Sequence, residues 1–245
     1  MSLFGAIAPI YLVNDTPGAG GGFSYNFTDN LSLGSFYSAG TANSPETGKG
    51  LFNGQFGVGA QLNYVPAPNT GVAFSYLHNY IPQGQYSDFS QLGFTGLANT
   101  DNPFDDNAST TDHYALIWTW QLADWFSLEG WGMYTNAQAQ GGDRQGDSAD
   151  IWNWKLSLAF PDLGKEGNVG VVSVGQPPYA GYISNNNNVP DVTPQTTDSP
   201  WFVETFYVYQ FNDNISLTPA IWVGINPAND RAPLWVGALR TSFKF

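Results

Sequence analysis

The chain has no cysteine and few charged side chains, and both shortages narrow what it can do. Without cysteine it can form no disulfide framework, no thiolate zinc site and no cysteine nucleophile. Charged residues make up 11% of the 245 positions, whereas an ordinary soluble domain carries roughly 25%. There are 20 acidic and 7 basic residues, a net charge of −13, and this acidic balance argues against binding to nucleic acid.

Long apolar runs are missing as well. No segment approaches the roughly 18 consecutive apolar residues that a transmembrane helix needs. A basic and then apolar leader is not visible at Met1–Asn14, so either the sequence is a mature chain or a fragment, or the protein is not exported. Aromatic residues, in contrast, reach 16%. Apolar groups that are abundant but never continuous are typical of a membrane β-barrel.

Apolar and polar residues alternate along many segments, which places them on opposite faces of strands. The clearest case is Ile151–Phe160, and Gly54–Tyr64 and Tyr114–Leu122 follow the same pattern. Eleven strands are predicted from Gly20 onward, and Phe4–Val13 is a weaker twelfth candidate. Val169–Gln176 is apolar on both parities, so its faces stay unassigned.

The connections between these strands alternate between short turns rich in Asn, Asp, Gly and Pro and long polar loops. Outer-membrane barrels have short turns on one side and long loops on the other. The sequence therefore predicts a single all-β domain over residues 1–245, a transmembrane antiparallel β-barrel with about 12 strands. The predicted long loops are Gly40–Asn53, Pro82–Asp112, Asn136–Asp150, Pro177–Pro200 and Asn226–Ala232.

Charged residues inside the predicted strands all fall on the parity opposite the main apolar face, which favours a hydrated lumen. Asp150 shares the parity of Trp152, so it is interpreted as the end of a loop. Neutral polar side chains share the inner parity with the charges. The predicted pore-lining residues are Glu129, Lys155, Glu204, Arg240, Lys244, Gln61, Asn153 and Gln121.

Aromatic residues gather near the predicted strand ends, where amphipathic rings form girdles at the level of the lipid headgroups. Trp131 and Trp222 fall on the inner parity instead. They could form an aromatic track for sugars, or they could pack against a loop that folds inward. The predicted girdle residues are Tyr64, Trp125, Phe126, Trp152, Phe160, Tyr209, Trp235 and Phe245.

The longest predicted loop, Pro82–Asp112, is a candidate constriction or mouth loop. Its carboxylates could gather cations or bind Ca²⁺, but the spacing is not that of an EF-hand, and a solvated acidic loop is favoured over a calcium site. No metal site or cofactor is therefore predicted. The acids concerned are Asp88, Asp101, Asp105, Asp106 and Asp112.

Positive signs of an enzyme are missing. Only His78 and His113 could serve a catalytic triad, and no Gly-x-Ser-x-Gly motif accompanies either of them. Both are interpreted as strand or rim histidines without a catalytic role.

A resemblance to a known family is carried by six segments, namely Gly48–Gly54, Ala149–Trp154, Leu158–Asn168, Val174–Pro178, Glu204–Phe211 and Asn212–Pro219. Phe160–Asn168 is the most specific part. These segments resemble the cyanobacterial outer-membrane porins of the Som or iron-uptake group, which are related to OprB-type carbohydrate-selective porins. The resemblance spans roughly Gly20 to Phe245 and implies a C-terminal portion of a barrel with about 16 strands, often a trimer, in the outer membrane. The surface-layer-homology domain of such porins is not found in this sequence, so no cell-wall anchoring is carried over.

The first functional hypothesis is passive diffusion of small polar solutes, namely inorganic ions including iron, or sugars, with outer-membrane lipid as the surroundings. The first alternative is a plugged barrel with a structural or adhesive role. The second is a soluble all-β carbohydrate-binding protein.

Overall fold

A computed structural model describes residues 7–13, 18–84, 98–227 and 232–244. Its main feature is one antiparallel sheet in which each strand pairs with the next along the chain. This confirms the all-β prediction. The strands are β1 Ala19–Asn26, β2 Leu31–Ala39, β3 Phe56–Ala67, β4 Thr70–Ile81, β5 Ser109–Ala123, β6 Phe126–Ala139, β7 Ser148–Pro161, β8 Val169–Ile183, β9 Trp201–Asn212, β10 Ile215–Ile225 and β11 Leu234–Phe243.

Connections of two lengths lie at the two ends of the strands. The connections 27–30, 68–69, 124–125, 162–168 and 213–214 are at one end, called the turn end below. The longer connections 40–55, 82–108, 140–147, 184–200 and 226–233 are at the other, the loop end. Asn69 and Asp162 have φ angles of 57° and 55°, which asparagine and aspartate tolerate better than most residues.

The described helices are short. They are the 3₁₀ turns Pro9–Tyr11 and Gly142–Arg144 and the α-helical turn α1, Ala98–Asp101. None of the helices in the described part of the chain is long and apolar enough to cross a membrane.

The sheet has open edges at β1 and β11, since the described strands show no pairing between these two. Both edge strands run from the loop end to the turn end, because all odd-numbered strands of an antiparallel meander share one direction.

The predicted twelfth strand, Phe4–Val13, is wrong over its described part. Pro9–Tyr11 forms a 3₁₀ turn with Pro9 at its first position. Proline fixes φ and lacks the N–H that a strand would donate, so it suits the start of a helical turn. Ala8 and Ile10, which belong to the predicted strand, are instead buried against one face of the sheet. That face is called the inner face below, and the opposite one the outer face.

Strands β5 to β8 extend further toward the loop end than the sequence predicts. Asp112 therefore lies in β5 and Asp150 in β7, rather than in loops. Strand β8 continues to Ile183 through Pro177 and Pro178, and its pairing with β7 is irregular near these prolines. The pairing also assigns the faces that the sequence leaves open, because Ser173 lies opposite the inner residue Ser157.

Candidate functional site

A row of aromatic side chains crosses the outer face near the loop end. Tyr76, Tyr114, Tyr134 and Trp152 are aligned by the strand register. Neighbouring ring centroids in this row lie 5.2, 6.4 and 4.5 Å apart. Stacked and tilted aromatic rings at one level of a sheet are typical of the headgroup girdle of a membrane barrel.

The next row of outer-face residues toward the loop end is polar. It contains Asp112 and Asp150, which the sequence places in loops. Asp112 accepts hydrogen bonds from the Tyr76 hydroxyl at 2.6 Å and, through the ring nitrogen Nδ1, from His78 at 2.9 Å. Asp150 accepts one from the Tyr134 hydroxyl at 2.6 Å. Both carboxylates lie on the outer face, so Asp112 is not part of a constriction loop. The tyrosine below each carboxylate gives it a partner at the level where an outer face would meet headgroups.

A second group of aromatic residues lies on the outer face near the turn end. Phe126 contacts Trp125 at 5.6 Å and Phe160 at 5.5 Å between ring centroids. Lys165 lies over the Tyr209 ring, with its Nζ 5.6 Å from the centroid. Of the remaining predicted girdle residues, Tyr64 and Trp235 are exposed on the outer face, and Phe245 lies outside the described residues.

An apolar band of the outer face lies between the two aromatic groups. Phe126 and Tyr134 are eight positions apart in β6, which is about 27 Å along the strand at roughly 3.4 Å per residue. A strand tilt of about 40° reduces this to a height of about 20 Å, comparable with the ~25 Å apolar band of membrane barrels. Among the described strand residues, the outer face between the two groups carries no charge.

The inner face carries the predicted pore-lining residues, and these differ in their access to solvent. Glu129, Arg240 and Lys244 are exposed, and Gln61 and Gln121 are half-buried. The most buried are Lys155, Asn153 and Glu204. The structure therefore brings all eight to one face, while their contact with a permeating solute stays a prediction.

A cluster around Lys155 occupies the centre of the inner face. Lys155 Nζ lies 5.2 Å from the Trp131 ring centroid, and the opposite charges of Glu129 and Glu204 act on it. The Trp131 indole N–H donates to Asn153 Oδ1 at 3.1 Å. Trp131 also packs against the buried cluster that holds residues 8–13, which favours the packing alternative over a sugar track.

Residues 7–13 lie on the inner face as an insert. Ala8, Ile10 and Val13 are buried, together with inner residues of β4 to β8. Tyr11 reaches away from this apolar cluster, and its hydroxyl donates to Gln61 Oε1 at 2.6 Å. The insert therefore fills part of the space that the inner face would otherwise leave to water. The strand residues in the cluster are Leu77, Ala115, Met133, Ile151 and Ala180.

Three long loops are joined at the loop end by Arg144, which is fully buried. Its guanidinium donates to Asp147 at 2.6 Å, to Asp105 at 2.6 Å and to the Ser184 carbonyl at 2.9 Å. Phe104, also fully buried, lies with its ring centroid 5.8 Å from the guanidinium carbon. These contacts tie loop 140–147 to loops 82–108 and 184–200.

Part of the longest loop packs on the inner face. Phe104 forms a buried cluster with Ala137, Ala139 and Ala149, three inner residues at the loop end of β6 and β7. Constriction of a channel by this loop stays a prediction, and so does the role of Asp88, which lies outside the described residues.

The acids of this loop do not converge on one point. Asp105 pairs with Arg144 and accepts from Thr193, while Asp106 pairs with Asn102. In the described part of the chain, no group of three or more metal-ligating side chains is found. In loop 40–55, the hydrogen bond from Lys49 lowers the pKa of the exposed carboxyl Glu46.

The two histidines lie on opposite faces of the sheet. His113 is fully buried on the inner face, with its Nδ1 2.7 Å from the Thr135 hydroxyl and its Nε2 3.4 Å from Asn79 Nδ2. His78 contacts Asp112 on the outer face.

One face of the sheet is thus apolar and banded by aromatics, while the other carries charges, amides and an insert. A family model described as "Carbohydrate-selective porin, OprB family" matches residues 11–245. The chain belongs to the OprB porin family.

Two relatives extend this finding. The uncharacterized proteins sll0772 of Synechocystis sp. and alr4550 of Nostoc sp. are 35% and 32% identical to the chain. Each alignment covers 100% of the chain, but only 46% and 42% of the respective relative. The chain thus spans less than half the length of these relatives. OprB porins are an outer-membrane channel family rather than a class of enzymes.

The turn between β7 and β8 lies within Leu158–Asn168, one of the segments by which this OprB porin resembles related porins. Residues 162–168 fold onto β9, where Asn168 donates to the Tyr207 hydroxyl at 2.7 Å and accepts from the Gln210 backbone N–H at 2.8 Å. Gly164 and Gly167 have φ angles of 80° and 83°, which favour glycine. The sequence signal was visible, but the docking of this turn onto β9 was not.

Proposed function

We propose that this OprB porin forms the wall of an outer-membrane channel through which small polar solutes diffuse passively. The observation that carries the proposal is the separation of the two faces. The outer face is apolar between two aromatic groups, while Glu129, Lys155, Glu204 and Arg240 lie on the inner face, away from lipid. The family supports carbohydrates as the first solute class.

Inorganic ions, including iron, are the second solute class of the proposal. The resemblance to the Som and iron-uptake porins supports them, as does the acidic character of the long loops. Since acidic loops attract cations while the inner face carries both signs of charge, we expect no strong ion preference.

A channel of this kind needs a closed wall, because unpaired backbone groups at a sheet edge are not tolerated in hydrocarbon. We propose that strands beyond the eleven described here pair with β1 and β11 and complete the barrel. Bacterial outer-membrane barrels have an even number of strands, which agrees with an odd number of additional ones. By resemblance, we propose that the protein with its completed barrel assembles into a trimer.

The test is conduction by the full-length gene product, purified in detergent and added to a planar bilayer under a KCl gradient. Stepwise openings are expected, with a reversal potential near zero, and liposomes that contain the protein should swell in isotonic neutral sugars. Heat-unfolded protein at the same concentration is the control. A folded protein that neither conducts ions nor admits sugars would refute the channel.

The second candidate is a plugged barrel with a structural or adhesive role. The observations that favour it are the insert 7–13 and the packing of Phe104, both of which occupy the inner face. Absence of conduction from a folded, heat-modifiable barrel would support this candidate over the channel.

A further inference from the structure

The inner face is filled unevenly around the insert 7–13. Over β4 to β8 the insert is anchored by Ala8, Ile10 and Val13, which are 3%, 6% and 5% exposed. Over β1 to β3, inner positions such as Gly22, Ser24 and Gly34 carry little or no side chain. Beside them lies a cavity of about 560 Å³.

Tyr11 and Gln61 lie side by side in the lining of this cavity. The Gln61 oxygen accepts from Tyr11 and, at 2.7 Å, from the Ser75 hydroxyl. Its amide nitrogen donates to Asn63 Oδ1 at 2.6 Å. Both ends of the Gln61 amide therefore have partners, and the network holds the Tyr11 ring in one place between the insert and β3.

Every residue that lines the cavity is uncharged at neutral pH. Its volume falls within the range of about 300–1,000 Å³ that small-molecule sites occupy. A hydroxyl, an amide and aromatic surface opposite a wall of glycine and serine offer hydrogen bonds but no fixed charge. Discrimination at this point would therefore act on size and not on the sign of a solute's charge.

We infer that the insert 7–13 narrows the channel and that Tyr11, held by Gln61, sets the size limit for small neutral polar solutes. This inference rests on the proposed channel function. It assigns the limit to the segment just before β1, in addition to any contribution from the long loops.

The first test compares Tyr11→Ala with Tyr11→Phe in the full-length gene product. Tyr11 is 48% exposed, so its truncation leaves the buried anchors of the insert in place. We expect Tyr11→Ala to raise single-channel conductance at least twofold and to admit larger neutral polyethylene glycols in liposome swelling. Tyr11→Phe keeps the ring and should change both by much less.

The matched control is Tyr25→Ala, because Tyr25 is exposed on the outer face of β1. It removes the same side chain from the same end of the sheet but should leave conductance and size limit unchanged. Equal conductance in Tyr11→Ala, Tyr25→Ala and the unmodified protein would overturn the inference while leaving the channel intact. Silence of the unmodified protein would refute the channel itself.

A second test uses the absence of cysteine from these 245 residues, with any cysteine elsewhere in the full-length gene product replaced by serine. A single Tyr11→Cys substitution should react with a small thiosulfonate added to open channels, and the added group should lower conductance. Cationic and anionic reagents of similar size should lower it by a similar factor if size governs. Thr119→Cys, an exposed inner-face position outside the cavity, is the control. Modification of Tyr11→Cys without a fall in conductance would overturn the inference.

Discussion

Removal of the Arg144 charge should release the three long loops from one another. Arg144→Met keeps much of the side-chain volume but leaves Asp147, which is fully buried, without its ion pair. Loss of one partner of a buried ion pair typically costs about 3–5 kcal/mol. Asp147 still accepts from the Asn186 backbone N–H at 2.7 Å, and Asp105 is 40% exposed and can be hydrated. We therefore expect the lower end of this range, about 3 kcal/mol.

The measurement is limited proteolysis of the full-length gene product in vesicles, combined with hydrogen exchange of the loops. If opening and closing are fast relative to cleavage, a loss of about 3 kcal/mol raises the cleavage rate about a hundredfold. Cleavage should appear within 98–108, 140–147 and 184–200, while the strands stay protected.

The matched variant is Arg144→Met combined with Asp147→Asn, which removes both charges of the buried pair. It should recover part of the lost protection, since no buried charge is then left without a counter-charge. Cleavage rates of Arg144→Met within threefold of the unmodified protein would refute the reasoning, and so would a double variant more labile than the single one.

Three further predictions concern the sheet, each measured as unfolding free energy by denaturant titration in vesicles. Gly175→Ala should be destabilising by more than 1 kcal/mol because its Cβ would lie 2.8 Å from a buried phenylalanine ring, whereas Gly237→Ala, with open space around the Cβ, should be near neutral. Leu156→Lys on the outer face should cost about 2–4 kcal/mol, and Thr119→Lys on the inner face less than 1 kcal/mol; equal costs would contradict the assignment of the two faces. Asn168→Ala should cost about 1–3 kcal/mol because it leaves a backbone N–H unpaired, and an unchanged stability would show that this bond contributes little.

The strands and their two faces could be predicted from the sequence, because the period of two is a local property of the chain. The alternation in Ile151–Phe160, for example, places Trp152 outside and Asn153 inside, as the structure does. The register between strands is not local. The alignment of Tyr76, Tyr114 and Tyr134 into one row depends on the lengths of several turns together.

The errors share a physical cause, since each concerns a residue whose environment is set by another segment. Asp150 shares an apolar parity and Asp112 ends a long polar segment, so the sequence places both in loops. The structure gives each of them a tyrosine partner on a neighbouring strand. The insert is predicted as a strand, but Pro9 begins a 3₁₀ turn there, and Ala8 and Ile10 pack against residues of strands that are distant in sequence. A signal for it did exist, since Met133 and Ile151 are apolar residues on an otherwise polar parity.

The shared direction of the two edge strands restricts how copies of this chain can assemble. Copies inserted in a membrane with their loops on the same side would bring β11 of one copy beside β1 of the next with both strands running the same way. That contact would be parallel, so the eleven described strands cannot by themselves be repeated around one purely antiparallel barrel. Any additional strands between β11 and β1 have to be odd in number if every contact in the wall is to be antiparallel.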